Sequence, residues 1–201
     1  MKPWPWLFAL ILCWPGSAPC AGRSQLRDGD IIFHTSRSSQ SLAIQHATGS
    51  RYSHMGVIVH RDGAPYVFEA ISRVSYTPLR RWIERGADGH YVVRRLRKPL
   101  SPPQATALRR SMAAFQGKPY DLTFEWSDTR IYCSELVWKL YRRALGIRIG
   151  ELQRLRDFRL DDPEVRAKLQ QRYGRHVPLQ EPVISPAAMF DSPLLVTVVR
   201  R

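Results

Sequence analysis

The chain has 201 residues and a formal charge of +14, from 31 lysines and arginines against 17 acidic residues. That length makes one domain the default and is enough to bury a sizeable core. The charge predicts contact with an anionic partner, but the first residues exclude the usual one, nucleic acid. Residues 1–21 read as a secretory signal: Lys2 gives the charged start, residues 7–12 an apolar stretch, and Gly16, Ser17, Ala18 and Ala21 a cleavage zone. The apolar run is shorter than the ~20 residues of a membrane-spanning helix. Cys20 is a possible lipid attachment site, but Pro19 stands where a small residue belongs, so simple cleavage ranks above lipidation. Nor is there an RNP-like motif or a zinc-finger spacing.

Removing the leader takes away one charge, Lys2, and leaves about +13 on a single domain over 22–201. An exported basic protein meets acidic wall polymer or lipid headgroups, so the expected setting is the periplasm or cell envelope, with contact to a membrane surface possible. Cleavage also removes Cys13 and Cys20 and leaves Cys133 alone. A single cysteine in an oxidising compartment points to a reactive thiol or an intermolecular bridge.

In chain order, residues 29–33 predict a strand after a turn. Residues 38–48 predict a helix capped by Ser38 or Ser39, with Leu42, Ala43 and Ala47 as its buried stripe and Gly49 as its stop. Residues 53–60 and 65–70 predict a hairpin, since Asp62-Gly63 between apolar runs is a strong turn signal. A further strand is expected over 89–96. Ser101-Pro102 opens a helix with core residues Leu108, Met112 and Phe115 and a stop at Gly117. Residues 118–121 form a loop. A buried helix then starts near Cys133, with Leu136, Val137, Leu140 and Tyr141 on its apolar face and Gly146 as its stop. Asp162-Pro163 opens a helix with Val165 and Leu169 on one face, and Ser185-Pro186 a short one. Residues 194–199 predict a fully buried strand. The segment 146–184 has no clear periodicity and reads as an insertion over one face of the core. The order is that of an α+β fold, an antiparallel sheet with helices packed on it.

Cys133 at the first turn of its helix meets unpaired N–H groups and the positive end of the dipole, which favour a thiolate. A catalytic cysteine needs a base, and the base an orienting group. His60 lies beside the turn, and His90 and His176 sit in polar surroundings. His34 and His46 have no acidic residue at a fixed offset. His54 opens a strand entering the core. If Asp62-Gly63 is a two-residue turn, paired positions sum to 125, and His54 is the diagonal neighbour of Glu69 on the same face, within reach of long side chains. With Arg61-Asp62 as the turn the two face each other, whereas a three-residue loop separates them. Gly56 between them leaves room for a substrate or another chain.

The motifs Gly29-Asp30-Ile31-Ile32-Phe33, Tyr52-Ser53-His54-Met55-Gly56-Val57, Phe68-Glu69-Ala70, Pro119-Tyr120-Asp121 and Tyr132-Cys133-Ser134-Glu135-Leu136, in this order, resemble the YiiX/YebB-like family over residues 26–199. These are circularly permuted NlpC-type, papain-like cysteine hydrolases. The permutation accounts for a histidine and a glutamate that precede the cysteine. The resemblance implies a permuted papain-like fold with a barrel-like antiparallel sheet, and a site with Cys133 as nucleophile, His54 as general base and acid, and Glu69 as its orienting carboxylate. The chemistry is acyl transfer through a thioester. Its oxyanion needs donors: the Cys133 backbone N–H, with Tyr120, Tyr132 or Gln45 as the second. No cofactor and no metal is implied, since no clustered ligand spacing is present.

The leading expectation is an envelope thiol hydrolase that cuts a peptide-type amide, such as one in a peptidoglycan stem. A lipid acyl hydrolase or acyltransferase is the alternative, because related permuted enzymes acylate retinol and phospholipid. Trp82, Trp126, Phe124 and Leu122 could then accept an acyl chain. A non-catalytic envelope-binding module is a further alternative, against which the intact Cys133, His54 and Glu69 argue.

Overall fold

The computed structural model describes residues 26–201; the segment 1–21 read as a signal, and Cys20 within it, lie outside them. Among the described residues, eight strands and six α-helices follow one another. They are β1 (Ile31–His34), α1 (Ser41–Thr48), β2 (His54–Arg61), β3 (Ala64–Ala70), β4 (Val74–Pro78), α2 (Leu79–Glu84), β5 (Val92–Leu96), α3 (Pro102–Met112), α4 (Cys133–Leu145), β6 (Gln153–Arg154), α5 (Pro163–Tyr173), β7 (Pro182–Val183), α6 (Pro186–Phe190) and β8 (Leu195–Arg200).

Six strands make one antiparallel sheet in the order β4-β3-β2-β1-β5-β8, while β6 and β7 pair separately. The sheet is open, not the barrel-like one expected, because β4 and β8 are free edges that never meet. Side chains alternate across it. Ile31, Phe33, Met55, Val57, Val59 and Phe68 face α4 in the main core, with Leu136, Leu140 and Tyr141. Ile32, Ile58, Val67 and Val93 face the other way and pack on Trp82 of α2.

The β2–β3 hairpin turns on Asp62-Gly63, whose φ values of 50° and 78° suit a two-residue primed turn. Its pairs, Val57 with Phe68 through Arg61 with Ala64, sum to 125 as expected. Helix α4 starts at Cys133 and stops at Gly146 in a left-handed conformation. Helix α3 has its Ser101 cap, and Leu108, Met112 and Phe115 are buried.

Several expectations need correction. Helix α1 is headed by Gln40, not by a serine cap, and its buried positions are Ser41 and Ala43, while Leu42 faces solvent. The cause is Ser41, whose hydroxyl shares a buried 2.6 Å hydrogen bond with Ser53 and turns the helix. Strand β8 is not fully buried: it is an edge strand with Leu195 alone deeply covered. Two elements were unforeseen in the sequence: strand β4, which extends the sheet beyond β3, and helix α2, which covers the second face. Between β2 and β3 the chain itself takes the room at Gly56. A Cβ there would lie 2.4 Å from Val67 Cγ1 and 2.8 Å from the Phe68 carbonyl oxygen.

Candidate active site

Alternation sends His54 and Glu69 to the α2 face of the sheet, opposite α4. They still meet Cys133, because His54 is the first residue of β2 and Cys133 the first of α4, so both sit at the rim. His54 Nε2 and Glu69 Oε2 are 2.6 Å apart, and the glutamate is wholly buried. The other ring nitrogen, Nδ1, is left for the sulfur, and Cys133 lies near enough for its charge and hydrogen-bonding to act on the imidazole. Arg85, just past α2, donates to the second oxygen of Glu69. The row therefore runs Cys133, His54, Glu69, Arg85.

The row fixes charge as well as direction. Burial works to lower the His54 pKa, but the charge and hydrogen bond of Cys133, with those of Glu69, outweigh it and push His54 up to about 9. Burial likewise works against an ionised Glu69, yet the His54 hydrogen bond, the charges of His54 and Arg85, and a bond to Thr77 hold it below the ordinary carboxylate range. His34 pairs with His54 across β1 and β2 and stacks on Trp82, with ring centroids 3.9 Å apart. Burial, then His54 and Arg85, depress it to about 2, so it is an uncharged wall behind the imidazole.

Among the expected oxyanion donors, the Cys133 N–H opens α4 and has no partner within the helix. Tyr120 is held nearby through its bridge to Ile131, two residues before Cys133. Its hydroxyl accepts a 2.8 Å hydrogen bond from Gln40 Nε2, while Arg172 donates to the Gln40 oxygen. Burial and the neighbouring Cys133 push the Tyr120 pKa upward against Gln40 and Arg172. The phenol thus keeps its proton, and with its oxygen already served by Gln40 that proton is free to be donated. The Tyr132 hydroxyl likewise accepts from a donor, Ile184 N–H at 3.1 Å, and keeps its own proton. Gln45 is turned back onto its own helix, donating to Ser41 O and Oγ at 3.3 and 3.1 Å.

Two cavities flank the row. A narrow apolar slot of about 80 Å³ opens at Cys133 and is lined by Ile44, Phe124, Leu155, Phe158, Leu169 and Val183, among others. Nine of the 21 residues that line it come from the segment 146–184, which thus lies over Cys133. A wider cleft of about 630 Å³ opens on the His54 side. Of the four residues expected to accept an acyl chain, Phe124 alone lines the slot. Trp82 is buried behind His34, Trp126 packs on Trp138, and Leu122 lies on the wider cleft.

Sequence reasoning missed Arg85, Gln40 and Arg172. It also missed acidic partners for two histidines: His46 lies 2.9 Å from Asp162, and His60 2.8 Å from Asp28. None of these pairs has a short or periodic spacing that would reveal it.

Residues 25–199 match the model of the permuted papain-like amidase enzymes, the YaeF/YiiX, C92 family. The chain belongs to this family. The C92 family is one of papain-like cysteine peptidases and amidases, and the chain is a thiol hydrolase of that kind. It is 54% identical to the uncharacterized protein YiiX of Escherichia coli K12 over 176 residues, 88% of this chain and 87% of the relative. The crystal structure of the metalloprotein YiiX from Escherichia coli O157:H7 superposes with a TM-score of 0.87 at 55% identity, covering 88% of this chain and 98% of the other. The helix that carries Cys133 here follows the strand that carries His54 in the chain.

Proposed function

We propose that this protein is an exported amidase of the cell envelope in which Cys133 attacks, His54 moves the proton and Glu69 holds His54. The observation that carries the reading is His54, held 2.6 Å from a buried Glu69 and lying beside Cys133. The sulfur of Cys133, deprotonated by His54, adds to the amide carbonyl carbon. The resulting oxyanion accepts hydrogen bonds from Cys133 N–H and Tyr120 O–H. The His54 imidazolium gives its proton to the departing amine nitrogen, the C–N bond breaks and a thioester remains. Water, deprotonated by His54, then adds to the thioester, the C–S bond breaks, and the acid and the thiol are released.

The envelope setting rests on the leader-like residues 1–21 and on the charge of about +13 that remains without Lys2. A peptide-type amide of the wall is the first substrate class. The apolar slot at Cys133 favours a second reading within the same chemistry, an apolar acyl group handed to water or to another acceptor. Muropeptides and an N-acylated lipid, offered in parallel to wild type and Cys133→Ala, separate the two by the mass of the products. Peptide cleavage without fatty-acid release supports the first and the converse the second; cleavage by Cys133→Ala refutes both.

The Escherichia coli O157:H7 relative is described as a metalloprotein. The residues here do not fit such a role, because among the described residues no group of three or more His, Cys, Asp or Glu side chains lies together as a metal site. No step above is routed through a metal.

A further inference from the structure

We infer that the cleft on the His54 side is the leaving-group subsite and that it takes an anionic group, so that the amine half of the substrate carries a negative charge. The inference rests on the proposed roles of Cys133 and His54 and extends them to the side of the substrate they leave undefined.

The direction follows from the chemistry. The proton that releases the amine comes from His54, so the amine half must lie against the imidazole. The cavity on that side is the wider cleft, which His54 itself lines. The slot opens instead at Cys133 and Ser134, away from His54. The two cavities share Gln40 and Tyr120. An amide spanning them therefore places its acyl half in the slot, its carbonyl beside the Tyr120 hydroxyl and its amine half in the cleft.

The charge of the cleft is one-sided. Arg37 and Arg85 line it. Arg37 is exposed and has no ion pair among the described residues. Arg85 spends one amino group on Glu69, and its buried Nε has no partner. The acidic residue on the wall, Glu84, is already paired with Arg80 at 2.8 Å. Glu69 is neutralised between His54 and Arg85. What remains for a ligand is positive charge within a cavity whose walls limit screening. The slot's wall is mostly apolar, although Lys168 and Arg172 also line it.

The test uses three probes with one acyl chain: N-lauroylglycine, N-lauroylglycinamide and N-lauroyl-phosphoethanolamine. The expected result is a kcat/KM for the glycine conjugate at least tenfold above that for the neutral glycinamide. Arg37→Glu lowers that preference about fivefold or more, and Arg110→Glu, an exposed arginine of α3 outside the cleft, leaves it unchanged. The phosphate probe distinguishes a carboxylate from a phosphate as the favoured anion. Equal rates on charged and neutral probes, or a preference indifferent to Arg37→Glu, overturn the inference.

A second readout does not depend on turnover. Alkylation of Cys133 by iodoacetate and by iodoacetamide is followed by peptide mass, and the ratio of the two rates is compared. Arg37→Glu lowers the ratio about fivefold relative to wild type and to Arg110→Glu. If no probe is cleaved but the ratio falls, the anionic cleft stands and the amidase reading fails. If probes are cleaved and the ratio stays, the cleft inference fails alone.

Discussion

Glu69 has no exposure to solvent, and both of its oxygens are taken, one by His54 and one by Arg85. Glu69→Gln keeps the shape and removes the charge. The His54 titration midpoint, followed by NMR, is then expected to fall from about 9 toward its ordinary 6.5, and kcat/KM to drop by about 10²-fold or more. An unchanged midpoint contradicts the role of Glu69. Tyr120→Phe removes the free phenolic proton while the ring stays in place. It is expected to lower kcat by roughly 10²-fold with little change in KM, as loss of one oxyanion donor does. Gly56 is fixed by its neighbours: Gly56→Ala forces β3 away and is expected to cost about 1–3 kcal/mol in denaturant melts, pulling Glu69 from His54 as it does so. At this scale the His54–Glu69 pair was legible because Asp62-Gly63 set the register that puts the two on one face. Arg85, Gln40 and Arg172 were not, because each reaches its partner through tertiary packing that has no counterpart in local spacing.

At the scale of elements, α4 brings Cys133 to the rim and needs to be held there. Lys139, one turn into the helix, is almost buried and reaches Glu135 at 2.6 Å, Asp128 at 2.9 Å and the Ser127 carbonyl at 2.6 Å. Burial raises the Glu135 pKa to about 7 against the pull of Lys139. Removing one partner of such a buried pair leaves the other uncompensated, so Lys139→Met is expected to destabilise the fold by about 3–5 kcal/mol in equilibrium unfolding. A loss under about 1 kcal/mol would mean that the pair is screened by solvent. Helix α4 was readable from its apolar face and from Gly146. Helix α2 was not, because six residues with Trp82 as the one buried side chain give too short a period to recognise. The segment 146–184 was unreadable for a related reason: Leu155, Phe158, Leu169 and Val183 line the slot while also packing on the main core, and they come from short, irregular elements with no shared period.

For the whole molecule, the site and the stability are linked through His54. Its folded pKa, about 9, lies above the 6.5 of the free side chain. The folded state therefore binds the proton more tightly. The resulting stabilisation is complete below about pH 6.5 and disappears as pH rises through about 9. Denaturation of wild type and His54→Gln across this window is expected to show a difference that shrinks by on the order of 1–3 kcal/mol. A difference that grows with pH has the wrong sign for this account. The sheet order places the free edge β8 far from the site and the covered strands β1, β2 and β3 beneath it. The rigid centre of the fold thus carries His54 and Glu69, and the less regular segments around it shape the two cavities.

The most direct test is the rate of Cys133 alkylation by iodoacetamide as a function of pH, in wild type and His54→Ala, read by peptide mass. A sulfur held beside a cationic His54 reacts readily down to about pH 6–7 and loses that reactivity in the variant. Identical profiles in the two proteins, both rising only in the range of an ordinary thiol, would contradict the pairing on which the mechanism stands.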